Sequence, residues 1–333
     1  LDKVLTITIP SYNAEKDLPV VLGKLVKCKF LNSLDIIVVN DGSSDNTSKV
    51  AKKYEKMHPM SIKVIDKENG GHGSAINTGI KYAKGKYFKV VDSDDWLSEE
   101  TLEKFIKDLE MTEEDVLLNP FWTFDDKTKK IKIFNKFEND LKVGKKYSFD
   151  DYTFINLPSM HSFTFKTTKL VDAGFKIDEH AYYVDVEYIL FPLVKCKTFK
   201  MLGYPLYYYR INQGTQSVSI GSMKKNKERH EFVLTNINKY IKEHSDKIST
   251  CKRETMINRL SQMIAAQFKI ISLMPISSNT FKELKAFDKK VKNELLFNEK
   301  VINRPIKFLL ESNFWLLPII HCLAILKMKT VHV

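Results

Sequence analysis

Lys86-Tyr87-Phe88-Lys89-Val90-Val91-Asp92-Ser93-Asp94-Asp95-Trp96 is the stretch on which the fold turns. Tyr87 to Val91 is a short apolar and β-branched run, the pattern of a buried strand. It stops abruptly in the carboxylates Asp92, Asp94 and Asp95, followed by a Trp. Acids at the C-terminal end of a strand point into the crevice where open α/β sheets bind ligands. Acids this close repel one another, and a buried crevice tolerates that only if a cation neutralises them. Hard oxygen ligands suit Mg²⁺ or Mn²⁺, which share their shell with substrate phosphates. The plain alternative is a solvated acidic loop capping a helix that begins near Ser98. The flanking segments decide between the two.

Upstream, Val4 to Ile9 is a β-branched strand stopped by Pro10, with Ser11-Tyr12-Asn13 as its turn. Ala14 to Lys27 then carries Leu18, Val21, Leu22 and Leu25 on one helical face. Leu34 to Val39 is a second strand, ending in Asn40-Asp41-Gly42-Ser43-Ser44-Asp45, where Asp45 can cap a helix over Thr47 to Lys56. A third strand, Ile62 to Ile65, leads to Asn69-Gly70-Gly71-His72-Gly73 and a helix over Ser74 to Ala83. Strand–helix alternation at this spacing predicts an α/β fold, a parallel sheet with helices on both faces. The glycine cluster matches neither GxGxxG nor GxxxxGK[ST]. Glycines at a strand-to-helix turn let backbone N–H groups approach a phosphate, and a plain loop is the alternative.

The whole chain has 333 residues, 43% hydrophobic and 28% charged, enough for one large domain or two in a soluble globular protein. Cys28, Cys196, Cys251 and Cys322 are scattered without a CxxC pair, which argues against a zinc site or disulfide framework and for a reducing cytoplasm. The sequence begins at Leu1 without Met, and no signal peptide is expected, because Thr6 to Pro10 is strand-like and too short. The net charge of +12 is concentrated after Ser222, where 21 Lys+Arg face 10 Asp+Glu. That region lacks the aromatic platforms and motifs of nucleic-acid binders. An anionic membrane surface fits the charge better.

In order and at matching spacing, Ile9-Pro10-Ser11-Tyr12-Asn13, Val39-Asn40-Asp41-Gly42-Ser43-Ser44-Asp45-Asn46-Thr47, Asn69-Gly70-Gly71, Asn77-Thr78-Gly79 and Asp92-Ser93-Asp94-Asp95 closely resemble the family 2 glycosyltransferases. The resemblance covers about the first 110 residues. It implies the GT-A fold, a mostly parallel sheet flanked by helices, and transfer of a sugar from a nucleotide diphosphate. Carried over position by position, it implies that Pro10, Tyr12, Asn13 and Glu15 line the nucleotide pocket, with Tyr12 near the base. Asp41 would accept from the base N3–H, favouring uracil or thymine. Gly71, His72, Asn77 and Ser93 would face the nucleotide-sugar. Asp92 would hold the ribose or the metal shell, Asp94 would be the main ligand of Mn²⁺ or Mg²⁺, and Asp95 an acid behind it or against the sugar. Where the family usually has an Arg, this chain has Ile76, so His72 is expected as the phosphate-facing positive group.

Beyond Trp96, Leu102 to Leu109 reads as a helix, Asp115 to Asn119 as a strand and Phe121 to Phe137 as a hairpin turning at Asp125-Asp126. Inverting relatives carry an Asp, or a Glu-Asp pair, near the position of Tyr183-Val184-Asp185-Val186-Glu187, as the base that deprotonates the acceptor. Asp185 takes that role, with Glu187 in reserve; an acid complementing a helix dipole is the alternative. An Asp of ordinary pKa is ionised at pH 7 and can accept a proton. His161, Arg210, Gln216 and Ser217 look like acceptor-side or lid residues in relatives, and Gly214 suggests a loop that closes over the donor.

After Ser222, helices are expected near 223–245, 251–273, 279–296 and 303–328, punctuated by Pro275 and Pro305. The apolar run Phe314 to Leu326 contains Pro318 and is too short to span about 30 Å of hydrocarbon. Flanked by Lys307, Lys327 and Lys329, it reads as an interfacial helix or as a packed helix or homo-oligomer contact. Processive membrane synthases of the same family have several spanning helices and a Gln-x-x-Arg-Trp motif, absent here. The expected organisation is a catalytic GT-A domain over residues 1–221 and a basic helical region over 222–333. The expected activity is metal-dependent, inverting transfer from a UDP-sugar to a growing, lipid-linked glycan of a cell-surface polysaccharide. The expected place is the cytoplasm, peripheral on the inner face of the membrane. Two other classes are open. A nucleotidyltransferase would show a Gly-rich loop with Arg and Lys, which is missing between Ile9 and Val20. A non-catalytic carbohydrate- or membrane-binding module would need no base.

Overall fold

In the computed structural model, residues 2–134, 137, 141–212 and 220–322 are described. The chain divides into two units, Leu1–Tyr152 with Pro158–Gln213, and Thr153–Leu157 with Gly214–Val333.

The first unit begins β1 (Leu5–Ser11), α1 (Leu18–Leu25), β2 (Leu34–Asp41), α2 (Thr47–Met57), β3 (Ile62–Lys67), α3 (His72–Tyr82), β4 (Tyr87–Val90) and β5 (Trp96–Leu97). It continues α4 (Glu99–Met111), β6 (Val116–Leu118), β7 (Phe121–Asp125), β8 (Ile131–Phe134), β9 (Lys146–Ser148), β10 (Phe163–Lys166), α5 (Thr167–Asp172), α6 (Asp185–Leu190), β11 (Thr198–Met201) and β12 (Tyr207–Ile211). The expected parallel half is present, in the order β3-β2-β1-β4. Every residue of β1 and β2 is buried, because helices cover both faces. Ile36 and Val38 pack with Leu18, Val21, Leu22 and Leu25 of α1, while Ile37 and Val39 pack with Ala75 of α3.

Past β4 the sheet is mixed. β10 lies antiparallel between β4 and β6, β11 runs parallel to β6, and β9 is the antiparallel edge. A second sheet, ordered β5-β12-β7-β8, stands beside the carboxylate turn. It contains the expected hairpin, β7 with β8. Its inner strand β12 contains Tyr208, Tyr209 and Arg210, the last of which the resemblance places among acceptor-side or lid residues. Parallel pairing of Tyr208 with Trp122 and antiparallel pairing with Trp96 make it a strand, and neither partner is near it in sequence.

The second unit is helical: α7 (Ile220–Lys225), α8 (Lys227–His244), α9 (Thr250–Ser272), α10 (Ser278–Glu294) and α11 (Arg304–Glu311). Ser249, Ser277 and Asn303 cap α9, α10 and α11 by accepting from backbone N–H groups in the first turn. The helix expected over 303–328 is interrupted. After α11, Asn313 and Phe314 take positive φ values of 48° and 70° and break it; residues 323–333 lie outside the described residues. Among the described residues, no helix is long and apolar enough to cross a membrane.

Candidate active site

The turn after β4 is built around a buried acid. Asp95 is inaccessible to solvent; its Oδ2 accepts from the Tyr207 hydroxyl at 2.6 Å and its Oδ1 from the Arg210 backbone N–H at 2.7 Å. The Asp92 N–H donates to the same Tyr207 oxygen at 3.1 Å. Asp95 therefore clamps β12 against the turn. Burial, then the charges of Asp94 and Asp92, push its carboxyl far above the usual range. Asp94, half-buried, is raised to about 6 by burial and then by Asp92.

Asp92 behaves oppositely. Burial works against its ionisation, but the imidazole of His72, with Nε2 2.8 Å from Asp92 Oδ1, outweighs it and lowers the pKa. The same contact overcomes burial to raise His72. His161 is pushed down to about 4 by burial; its Nδ1 lies 3.0 Å from Ser159 Oγ and its ring packs on Tyr209 at 4.2 Å between centroids. Asp92, Asp95 and His161 each offer a ligand atom within 4.8 Å of the others. Sequence reasoning gave the metal to Asp94 and Asp92; the grouping of ligand atoms shares Asp92 with that set and adds Asp95 and His161. Ser93 lies half-buried in the same turn.

The nucleotide-side residues fall in two classes. Tyr12 is 57% exposed at the end of β1 and open to a ligand. Pro10 is buried within β1. Asn13 and Glu15 staple the loops after β1 and β2: Asn13 Oδ1 accepts from Ser44 N–H at 2.9 Å, and Glu15 Oε2 accepts from Asn46 N–H and Nδ2 at 3.0 Å each. Asp41 accepts from Lys67 Nζ at 2.8 Å, Gly70 N–H at 2.9 Å and Gly71 N–H at 2.8 Å. Those bonds occupy most of the roughly four lone-pair sites of a carboxylate.

The glycine turn serves packing as much as approach. Gly71 has φ +83°, and a Cβ on Gly73 would stand 2.2 Å from the Asp178 carbonyl oxygen. That tight fit lets the 177–184 loop lie on the turn, where His180 N–H donates to Gly70 O at 2.5 Å. Asn77 completes the join: its Nδ2 donates to Ile177 O at 2.8 Å and its Oδ1 accepts from Ile177 N–H at 3.0 Å. Both ends of its side-chain amide are thus engaged with protein backbone.

Asp185 opens α6 half-exposed, close enough for its charge to raise His72 and Tyr209. Glu187 turns inward and is fully buried. Its Oε2 accepts from Asp178 N–H at 2.8 Å, its Oε1 has no partner among the described residues, and burial raises its pKa to about 9. Arg210 pairs its guanidinium with Asp17 at 2.7 Å and Asp126 at 3.3 Å. Gln216, Ser217 and Gly214 lie outside the described residues.

Sequence reasoning missed Lys89 and Tyr207. Lys89 is fully buried within β4 and donates to the carbonyls of His161 at 2.8 Å and Phe163 at 3.0 Å, its pKa brought down to about 7 by burial. A single charge inside an apolar strand was the available signal. Nothing local marked Tyr207 out from Tyr208 and Tyr209.

Residues 6–168 match the family model described as glycosyl transferase family 2. The chain is 27% identical over 290 residues to the minor teichoic acid biosynthesis protein GgaB of Bacillus subtilis, covering 84% of this chain and 31% of GgaB. It is 32% identical over 114 residues to the poly(ribitol-phosphate) beta-N-acetylglucosaminyltransferase TarS of Staphylococcus aureus, covering 34% of this chain and 20% of TarS. The chain thus spans less than a third of the length of these curated relatives. The crystal structure of TarS 1–349 aligns over 93% of this chain and 88% of its own, with a TM-score of 0.62 at 19% identity. The same region in complex with UDP-GlcNAc aligns over 93% and 92%, with a TM-score of 0.54 at 19% identity. Mannosyltransferase PcManGT of Pyrobaculum calidifontis, solved with GDP-Man and Mn²⁺, aligns over 97% and 88%, with a TM-score of 0.54 at 12% identity. These structural likenesses bear on the fold, which is GT-A with a helical C-terminal region.

Proposed function

Residues 6–168 belong to glycosyl transferase family 2, and from that premise we propose that the chain transfers a sugar, with inversion, from a UDP-sugar to a hydroxyl of a growing, lipid-linked glycan in cell-surface polysaccharide synthesis. The observation that carries the reading is the meeting of Asp92, Asp94 and His72 at the end of β4 with Asp185 at the head of α6, within reach of His72's charge. One group of acids holds the donor's diphosphate end, and a separate acid is left for the acceptor.

The residues present fit a divalent cation at Asp92, which offers a ligand atom within 4.8 Å of those of Asp95 and His161, with Asp94, raised by burial and then by the charge of Asp92, in the same turn. Asp92 and Asp94, with His161 in reach, would hold Mn²⁺ or Mg²⁺, which supplies Lewis-acid charge for the leaving diphosphate. The chain's own groups do the rest. Tyr12 and Asp41 border the base, and His72 at the head of α3 presents positive charge to the phosphates. Asp185 takes the proton of the acceptor hydroxyl as its oxygen bonds to the anomeric carbon and the bond to the diphosphate breaks. Attack opposite the leaving group turns an α-linked donor into a β-linked product. Asp95, its carboxyl pushed up by burial and then by Asp94 and Asp92, and Glu187, raised to about 9 by burial, act through position: Asp95 fixes the turn and Glu187 the 177–180 loop.

The names of GgaB and TarS, and the UDP-GlcNAc in TarS, support a UDP-sugar donor and a polymer acceptor. Catalysis is assigned to residues 1–221. The basic region 222–333 is assigned to docking on the inner face of the cytoplasmic membrane, with a homo-oligomer contact as its other use. The test is release of UDP from a panel of UDP-sugars with and without Mn²⁺. Metal-stimulated release supports the reading. Release of pyrophosphate from a nucleoside triphosphate instead would make the chain a nucleotidyltransferase, and binding of glycan with no donor turnover a binding module.

A further inference from the structure

Beside the carboxylate turn, the first unit has a cleft of about 540 Å³. Its walls include Trp96 and Phe124 and the polar side chains of Lys16, Asp17, Asp126 and Arg210. The rings meet edge to face at 5.3 Å between centroids. Behind them the second sheet stacks Tyr208 on Trp96 at 5.3 Å and Trp122 on Tyr208 at 4.4 Å, with interplanar angles of 18° and 15°. That stack holds the indole rigid. Asp17, Asp126 and Arg210 are also held in place, because Arg210 bridges Asp17 at 2.7 Å and Asp126 at 3.3 Å.

We infer that this cleft is a subsite for the acceptor glycan, binding a pyranose unit one or more residues away from the hydroxyl that reacts. The inference rests on the glycosyltransferase reading for the direction of the chain but not for the binding itself. A pyranose has an apolar C–H face and a rim of hydroxyls that both donate and accept. An aromatic wall with a few placed polar groups is the complementary surface. The Asp17–Arg210–Asp126 cluster offers acceptors and donors together, with the guanidinium charge matched by carboxylates, which suits neutral hydroxyls better than a bare phosphate. The cleft borders the carboxylate turn. Trp96 directly follows Asp95, Arg210 N–H donates to Asp95 at 2.7 Å, and the charges of Asp17 and Arg210 both act on Asp94.

The test is binding of the full chain, without donor or metal, to an array of bacterial surface polysaccharides and their oligosaccharide fragments. Titration of the strongest ligand then follows against wild type, Phe124→Ala, Phe124→Leu and Asp126→Asn. The expected result is binding of at least one array glycan. Affinity should fall at least tenfold in Phe124→Ala and Asp126→Asn, with partial rescue in Phe124→Leu, at unchanged near-UV circular dichroism. In transfer assays the same variants should raise the acceptor KM more than they lower kcat. No binding to any array glycan, or equal binding by the folded variants, overturns the inference. Glycan binding lost in these variants, from a chain that releases no UDP from any UDP-sugar, would uphold the cleft and sink the transferase reading.

Discussion

His72 Nε2 lies 2.8 Å from Asp92 Oδ1, joining the first residue of α3 to the carboxylate turn after β4. Each residue sets the other's charge: the carboxylate raises the imidazole and the imidazole lowers the carboxylate. A partner that orients and charges a metal ligand typically contributes about 10–100-fold in metal affinity or activity. His72→Ala should therefore raise the Mn²⁺ concentration for half-maximal transfer by about that factor. An unchanged Mn²⁺ titration would remove His72 from the site.

If Asp94 is the main ligand of the ion, Asp94→Ala should abolish transfer and weaken UDP binding in the presence of Mn²⁺. The check is calorimetric titration of UDP with and without metal. Wild-type turnover by the variant in excess EDTA would defeat the metal assignment.

Asp185 and Glu187 separate by protonation. A positioned base typically contributes about 10²–10⁴-fold, so Asp185→Asn should lower kcat by about that factor with little change in UDP affinity. Glu187→Gln should keep most activity, because the buried carboxyl is already protonated and the amide preserves its shape. Equal losses in both variants, or a loss only in Glu187→Gln, would move the base.

Glu187 also sets a pH dependence. Its folded pKa, raised to about 9 from 4.5, means the folded state holds a proton that the unfolded chain releases. The stability this proton contributes is complete below about pH 4.5 and is lost as pH rises through about 9. Glu187→Gln cannot ionise, so its melting temperature relative to wild type should climb between pH 5 and 9. Parallel melting curves across that range would show that Glu187 is not buried as a neutral acid.

In the second unit, Trp315 is 83%, Phe308 54% and Ile319 57% exposed, while Phe314 and Leu317 beside them are buried. Deleting residues from Phe314 onward would open the helical core, so surface variants are the sharper test of membrane docking. Phe308→Ser with Trp315→Ser should weaken binding to phosphatidylglycerol vesicles by about tenfold or more. Binding to phosphatidylcholine vesicles should be weak for both forms. Equal binding by the double variant, or none by wild type, would turn this face over to packing or self-association.

How much was legible follows the range of the interactions. The four parallel strands, the buried face of α1 and the Asp92–Asp95 cluster could all be read locally, because strand and helix periods and turn chemistry are properties of neighbouring residues. Asp185 was preferred to Glu187 on its place in the family pattern, not on burial. Two positions along a helix point them to opposite sides, and the chain alone does not say which side is core. Tertiary structure made that choice by burying Glu187 against the Asp178 backbone. It also placed His161 beside Asp92, set Tyr208, Tyr209 and Arg210 inside a second sheet, and gave the Asp95 carboxyl its partner in Tyr207. The sequence by itself determined which residues can ionise and where the strands and helices of the first hundred residues run. The tertiary structure decided which of those charges meet and which lose water, and a carboxylate's protonation depends on those two things.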